Sequence, residues 1–331
     1  MARERSHVKK GRRGCMSGCL VNILLLLGVA ALLFVAACSF GVIRNDPETG
    51  APYITFEEFG VGKLDAGAIG DKVSGLSLPQ IDWPYAVNRS GLTVKVLRAG
   101  DGEAVLVCSD GYTMLLGGGE GSGVMLCSQL LLSGVNRLSA AVAMQSADEQ
   151  LGGMGMAVRL MKPDYLLYPD TQVKSKAFNS MMSAASGVEG IGLIAPEQGL
   201  TFMLGRAQVS VIGPHTRHHT DERDDGLSLR IDYGSTSVLV MGGVTMSGER
   251  QILSTAPVDA DVLIASCGGS AEGTTTEFAE AVSPRIALLT GREPANAVKV
   301  RLERTGAEVY MAKDHGVMTV YSDGQNLTVK P

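Results

Sequence analysis

The residues with the most evident chemical potential lie between positions 215 and 225. His215-Thr216-Arg217-His218-His219 is followed by Asp221, Glu222, Asp224 and Asp225. Imidazoles beside carboxylates suit a zinc ion. A catalytic metal, however, needs ligands held on rigid elements and supported from behind. Here the donors share a polar loop with Arg217 and Arg223, so His215, His218 and His219 form only an alternative metal cluster. The chain has five His in all, and His315 falls in Lys313-Asp314-His315-Gly316, which reads as a turn between two strands. Gly117-Gly118-Gly119-Glu120-Gly121-Ser122-Gly123 is the other conspicuous stretch. A glycine turn before a helix can offer amides to a phosphate, but this spacing fits no nucleotide fingerprint. It reads as a strand-to-helix turn that needs positive φ. Neither G-x-S-x-G nor H-E-x-x-H occurs, so the serine-nucleophile elbow and the helical zinc site are both missing.

The elements that must position these residues follow from periodicity. The 331 residues are 45% hydrophobic and 19% charged, which excludes a disordered chain. Six Cys are too sparse for a disulfide scaffold. Cys108, Cys127 and Cys267 sit in or beside apolar runs and read as small buried residues. Strand patterns fall at 92–98, 104–108, 113–116, 138–143 and 165–168. Helical patterns follow at 123–133, 153–161 and 174–185. Strands resume at 200–204, 207–212, 227–233, 237–241, 261–265, 285–290, 308–312, 317–321 and 326–329. Helices at 247–254, 275–283 and 294–305 lie among them, and Thr274-x-x-Glu277 reads as a capping box. Strand pairs leading into strand–helix units occur twice, which predicts two sheets with helices on their outer faces.

The N-terminus is different. Residues 1–18 carry six basic residues (Arg3, Arg5, Lys9, Lys10, Arg12, Arg13) and one acid, Glu4, a net +5 that leaves −10 for the rest of a chain of net charge −5. Residues 19–43, CLVNILLLLGVAALLFVAACSFGVI, carry no charge. About 20 apolar residues suffice for a helix to cross a bilayer, and the positive-inside rule places the N-terminus in the cytoplasm. The expected organisation is a basic cytoplasmic head at 1–18, a transmembrane anchor at 19–43, a tether at 44–90 that packs partly on the domain, and one domain at 91–331 outside the membrane. The alternative is a lipoprotein anchored at Cys38, since Val35-Ala36-Ala37-Cys38 resembles a lipobox. Cys15 and Cys19 read as juxtamembrane cysteines.

From about Leu92 to Lys330 the order of segments resembles the metallo-β-lactamase superfamily, on the branch of the C-terminal domain of the bacterial DNA-internalisation competence protein ComEC. LRAGDGEAVLV (97–107) is similar to the family's "DVGQGDA" hairpin, and TMLLGGG (113–119) to its "LIDGG" strand and turn. Gly152-Gly153 is similar to the Gly-Gly after the metal-binding motif. DDGLSLRIDYGSTSVLVMGG (224–243) resembles "NNSLVLRLEYG…LLTGD", and DVLIASCGGS (261–270) resembles "DVLKVPHHGS". GAEVYMAKDHGVMTVYSDG (306–324) resembles the closing hairpin. The resemblance implies an α/β fold, a metallo-β-lactamase-like αββα sandwich of two packed mixed sheets with outer helices, here preceded by one transmembrane helix.

It also implies a metal site that this chain lacks. Where the family has H-x-H-x-D-H, this sequence has Gln145, Ala147, Glu149 and Gln150, with Asp148 among them. The Asp of "LID" falls on Gly117, the bridging Asp of "TGD" on Gly243, and the "HHGS" pair on Cys267-Gly268. A further His is absent from 292–297. Neutral Gln and Ala give zinc little affinity. The expectation is therefore a membrane-anchored pseudoenzyme without cofactor, binding an unknown protein or small ligand. The alternative is a divergent metal-dependent hydrolase of phosphodiesters, holding zinc or manganese, with a link to DNA uptake. A body at −10 disfavours nucleic acid as a partner, although the resemblance implies one.

Overall fold

The computed structural model describes residues 90–331, apart from 101 and 122, and three short strands before them. The chain divides into two compact units at 81/82. In the first, β1 (Ile43–Asn45), β2 (Pro52–Phe56) and β3 (Val61–Leu64) form an antiparallel sheet. These strands lie almost entirely within the stretch expected to be a tether, where Gly, Pro and Asp mask a short β-branched and aromatic run such as Tyr53-Ile54-Thr55-Phe56. The expected head, anchor and lipobox at residues 1–42 lie outside the described residues. Among the described residues no helix is long and apolar enough to cross a membrane.

The second unit is built from two sheets. The first has eight strands. β4 (Leu92–Val96), β5 (Val105–Ser109) and β6 (Tyr112–Leu116) are antiparallel, and β7 (Ala140–Val142), β8 (Tyr165–Leu167) and β9 (Gly192–Ile194) continue from β6 in parallel. Late in the chain, β17 (Met318–Ser322) and β18 (Leu327–Lys330) return to pair beside β4. The second sheet has seven strands: β10 (Thr201–Leu204), β11 (Ala207–Gly213), β12 (Ser228–Tyr233), β13 (Thr236–Val240), β14 (Val262–Ile264), β15 (Ile286–Leu289) and β16 (Glu308–Met311). It too is antiparallel up to β13 and parallel beyond.

Alternation along the strands sorts the apolar side chains into three layers. Val94, Val105, Val107 and Leu116 of the first sheet meet Val209, Leu229, Val240 and Ile264 of the second in an inner core. The opposite side chains, such as Leu106 and Leu115, face the helices α1 (Val124–Leu132), α3 (Met154–Met161) and α4 (Lys176–Ser186). On the far side, Leu239, Leu263 and Ala287 face α5 (Met246–Thr255), α6 (Thr276–Val282) and α7 (Asn296–Arg304). The predicted two-sheet sandwich with outer helices is present.

Four local readings change. The short helix α2 (Asp148–Leu151) and the edge strand β9 were not legible, being too short to show a period. The residues around His315 form a helical turn, α8 (Ala312–His315). It carries the chain from β16 in one sheet to β17 in the other, so 306–324 is a crossover and the closing hairpin is β17–β18. Finally, α6 is capped by Thr275, whose hydroxyl accepts from the Phe278 amide at 3.2 Å. Thr274, the expected cap, is buried in a left-handed conformation at φ 50°.

Candidate functional site

In open sheets ligands gather beyond the carboxyl ends of parallel strands. Here both sheets present such ends at one mouth. Gly117 follows β6, Gln145 follows β7, Gly243 follows β13, Cys267-Gly268 follow β14 and Thr290 follows β15. Glu103 joins them from the start of β5, because Val105 pairs with Leu116 at the same edge.

These positions touch in a continuous chain. A Cβ placed on Gly243 would lie 2.2 Å from Gln145 Oε1 and 2.4 Å from Nε2. Gln145 is buried, and its Nε2 donates to the Arg223 carbonyl at 3.1 Å. The Cys267 thiol donates to the carbonyls of Gly243 (3.1 Å) and Val244 (3.3 Å). Gly268 accepts from the Gly291 amide at 2.9 Å, and a Cβ on it would be 2.8 Å from that nitrogen. Beside Gly291, Thr290 Oγ1 donates to Glu103 Oε2 at 3.2 Å. The Glu103 amide donates to Gln150 Oε1 at 3.1 Å, and its carbonyl sits 2.3 Å from where a Gly117 Cβ would be. Gly117 itself has φ +69°, so a side chain there meets both strain and backbone.

The mouth is thus closely packed, by the Gln145 side chain in front of Gly243, the Cys267 thiol and the backbone beside Gly117. Neither Gly117 nor Gly243 has room for a carboxylate unless its neighbour moves. Burial pushes the Cys267 thiol up to about 12, so it is not a thiolate at neutral pH. Ala147 stands at the N-cap position of α2 in an extended conformation and makes no side-chain cap. Glu149 is exposed, and Asp148 Oδ1 is engaged by the Ala177 amide (2.8 Å) at the start of α4. That bond holds the Asp148 carboxyl below its usual range. The donor set does not fit a zinc or manganese centre.

The histidine loop does not gather either. The His215 ring meets Gln198 Oε1 at 2.6 Å, while His218 is exposed at φ 64°. The His219 ring lies between Asp225 Oδ1 (2.7 Å) and Gln251 Oε1 (3.0 Å). Among the described residues no three of His, Cys, Asp and Glu are placed to hold a metal ion. What this loop does form is one wall of a cleft of about 800 Å³ beside the mouth, lined by His219, Asp221, Arg223, Asp224, Thr245 and Ser247. Arg223 is held by Asp221 (2.7 Å) and Glu272 (2.5 Å). Asp224 is buried and receives both the amide (2.8 Å) and the hydroxyl (2.9 Å) of Thr245.

Comparison with solved structures identifies the architecture. A variant of the β-hydroxylase CmlA, a diiron enzyme from Streptomyces venezuelae, aligns over 84% of this chain and 65% of its own, at 13% identity and a TM-score of 0.52. The metallo-β-lactamase fold protein YhfI from Bacillus subtilis aligns over 68% of this chain and 98% of its own, at 15% identity and a TM-score of 0.49. Tm1679, a metal-dependent hydrolase of the β-lactamase superfamily, aligns over 66% and 95%, at 9% identity and a TM-score of 0.47. The chain shares the fold of the CmlA variant, two packed mixed sheets with outer helices. No family model and no curated protein matches its sequence. Identities this low speak for the fold and leave the function to the site.

Two buried carboxylates at this mouth escaped the sequence reading. Glu249 on α5 is fully buried. Its Oε1 accepts from the Ser266 hydroxyl and the Thr274 amide, and its Oε2 from the Thr275 amide at 2.9 Å. It ties α5 to the loop that bears Cys267. Glu103 has one oxygen on Thr290 and the other, Oε1, buried with no hydrogen-bond partner. Burial raises its carboxyl to about 7, opposed by the Thr290 bond. One signal was available for it: a single acid directly before the apolar run Ala104–Cys108.

Proposed function

We propose that this chain is a non-catalytic binding protein on a metallo-β-lactamase fold, held at the outer face of a membrane by residues 19–43 with its N-terminus in the cytoplasm. One observation carries the non-catalytic half. The Gln145 amide occupies the space in front of Gly243, so a neutral side chain fills the place where the family's motif would put a bridging carboxylate. Among the described residues no three His, Cys, Asp or Glu side chains are placed to hold a metal ion that could generate a hydroxide or clamp a leaving group. The adjacent cleft of about 800 Å³ is the natural seat for a small ligand or for a loop of a protein partner. Its acidic wall of Asp221, Glu222 and Asp224 argues against a polyanion. The membrane half rests on the uncharged run at 19–43 and the basic residues before it.

The test is elemental analysis of the full chain, purified in detergent without a His-tag, alongside a phosphodiesterase assay with added Mn²⁺. The expected result is substoichiometric metal and no turnover above a buffer control. Stoichiometric zinc or manganese that disappears in Glu149→Ala, or turnover lost in a His215/His218/His219 triple alanine variant, would refute it.

A further inference from the structure

A second cavity lies at the end of the first sheet opposite the mouth. It holds about 500 Å³, between the starts of β6 and β8 and the loop 133–139 that leads from α1 to β7. Cys108 and Thr113 line it from the strands, Ser133, Val135 and Leu138 from the loop, and the exposed Tyr112 marks its rim. That volume lies within the range of small-molecule sites, which are mostly apolar with a few placed polar groups.

The polar group placed here is the Ser133 hydroxyl. Side chains alternate along β4, so Val94 and Val96 enter the inner core while Thr93 and Lys95 face the helices. Lys95 is buried, and its Nζ donates to Ser133 Oγ at 3.0 Å. An ammonium has donors only, so the Ser133 oxygen is the acceptor in that bond and its own hydrogen is left over. No acceptor among the described residues takes it, and the last carbonyls of α1 already receive the amides of Ser133, Gly134 and Val135. Beside this pair, Thr93 stands opposite Cys108 in the β4–β5 register, and its buried Oγ1 has no hydrogen-bond partner. A buried hydroxyl left so costs free energy unless something supplies the bond. Burial lowers the Lys95 amine from 10.5 to about 8, so it is still cationic at neutral pH. Arg137 and Asp164, the other charged residues on the cavity, bond each other at 2.5 Å and cancel. A hydroxyl polarised by a buried ammonium favours an anionic acceptor, because hydrogen bonds to ionised groups are about twice as strong as neutral ones.

We propose that this cavity is a binding site for a small organic carboxylate: the carboxylate accepts from the Ser133 hydroxyl, with the Lys95 ammonium behind it, and the apolar body lies among Val135, Leu138 and Tyr112. The site is separate from the cleft beside the mouth and does not depend on what binds there.

Titration of the full chain in detergent with para-fluorobenzoate, followed by fluorine NMR against empty micelles, tests this. The expected result is one saturable site per chain that binds the acid about tenfold more tightly than the neutral para-fluorobenzamide. Amide hydrogen exchange across 133–139 is expected to slow when the acid binds, which locates the site. Lys95→Met keeps the bulk and removes the charge, and should bring the acid and the amide to within about twofold of each other. Should Lys95→Met fold poorly, the acid-to-amide ratio and the 133–139 exchange of the native chain decide the matter. Absence of saturable binding, equal affinity for acid and amide, unslowed exchange at 133–139, or a preference for the acid that survives Lys95→Met overturns the proposal.

Discussion

Replacing Glu103 by Gln should make the fold more stable at neutral pH and remove a pH dependence that the native chain carries. The carboxyl is raised from 4.5 to about 7 by burial. Between those values the folded state binds more protons than the unfolded state, so native stability falls as pH rises from about 4.5 to about 7. It is then flat above. Below pH 4.5 both states are protonated and the penalty is absent. A displacement of roughly two to three pH units corresponds to about 3 kcal/mol, an upper value because water entering an opened mouth would relieve part of it. Glutamine keeps the shape and can still accept from Thr290. Its stability relative to the native chain should therefore climb by up to about 3 kcal/mol from pH 4.5 to 7.5. Urea unfolding of both proteins in detergent at four pH values measures this difference directly. A flat difference curve refutes the reasoning, and so does one that falls with pH, because either means the carboxyl is solvated or paired in the folded state.

Gly243→Asp should displace Gln145 from its bond to the Arg223 carbonyl and bury a charge, at a cost of about 2–4 kcal/mol in urea unfolding; a neutral outcome would mean that the space is open. Glu249→Ala leaves Ser266 and the amides of Thr274 and Thr275 without their acceptor and should cost about 3 kcal/mol, read as a lower unfolding midpoint. Asp110 is held at about 2, chiefly by the side-chain bond from Arg206. Its contribution is present above its ordinary 3.8 and is lost as pH falls toward 2, and Asp110→Asn should remove that acid-sensitive step. With the Arg206 side chain 71% exposed, the effect should be only about 1 kcal/mol. Dialysis against EDTA should leave the melting temperature unchanged; a fall that added zinc reverses would contradict the filled mouth.

Much of the architecture was legible from the chain alone, because hydrophobic period is a local property. The alternating runs at 92–98, 207–212 and 227–233 and the helical pattern at 174–185 all became the elements they predicted. Elements too short to show a period, α2 and β9, were not visible. Nor was the crossing of 312–315 between sheets, since a helical turn and a hairpin turn share the same residue types.

What packs together at the mouth is a tertiary matter. No spacing in the sequence places Gln145 against Gly243, 98 residues on, or Thr290 on Glu103; only the meeting of two sheets at their carboxyl edges does. The same holds for the charge state of Glu103. The sequence by itself determined a two-sheet sandwich with helices on its outer faces. The tertiary structure decided that the space is filled rather than vacant. It also decided that one carboxyl is enclosed there with an oxygen unpartnered, because burial and hydrogen bonding depend on what the fold brings alongside.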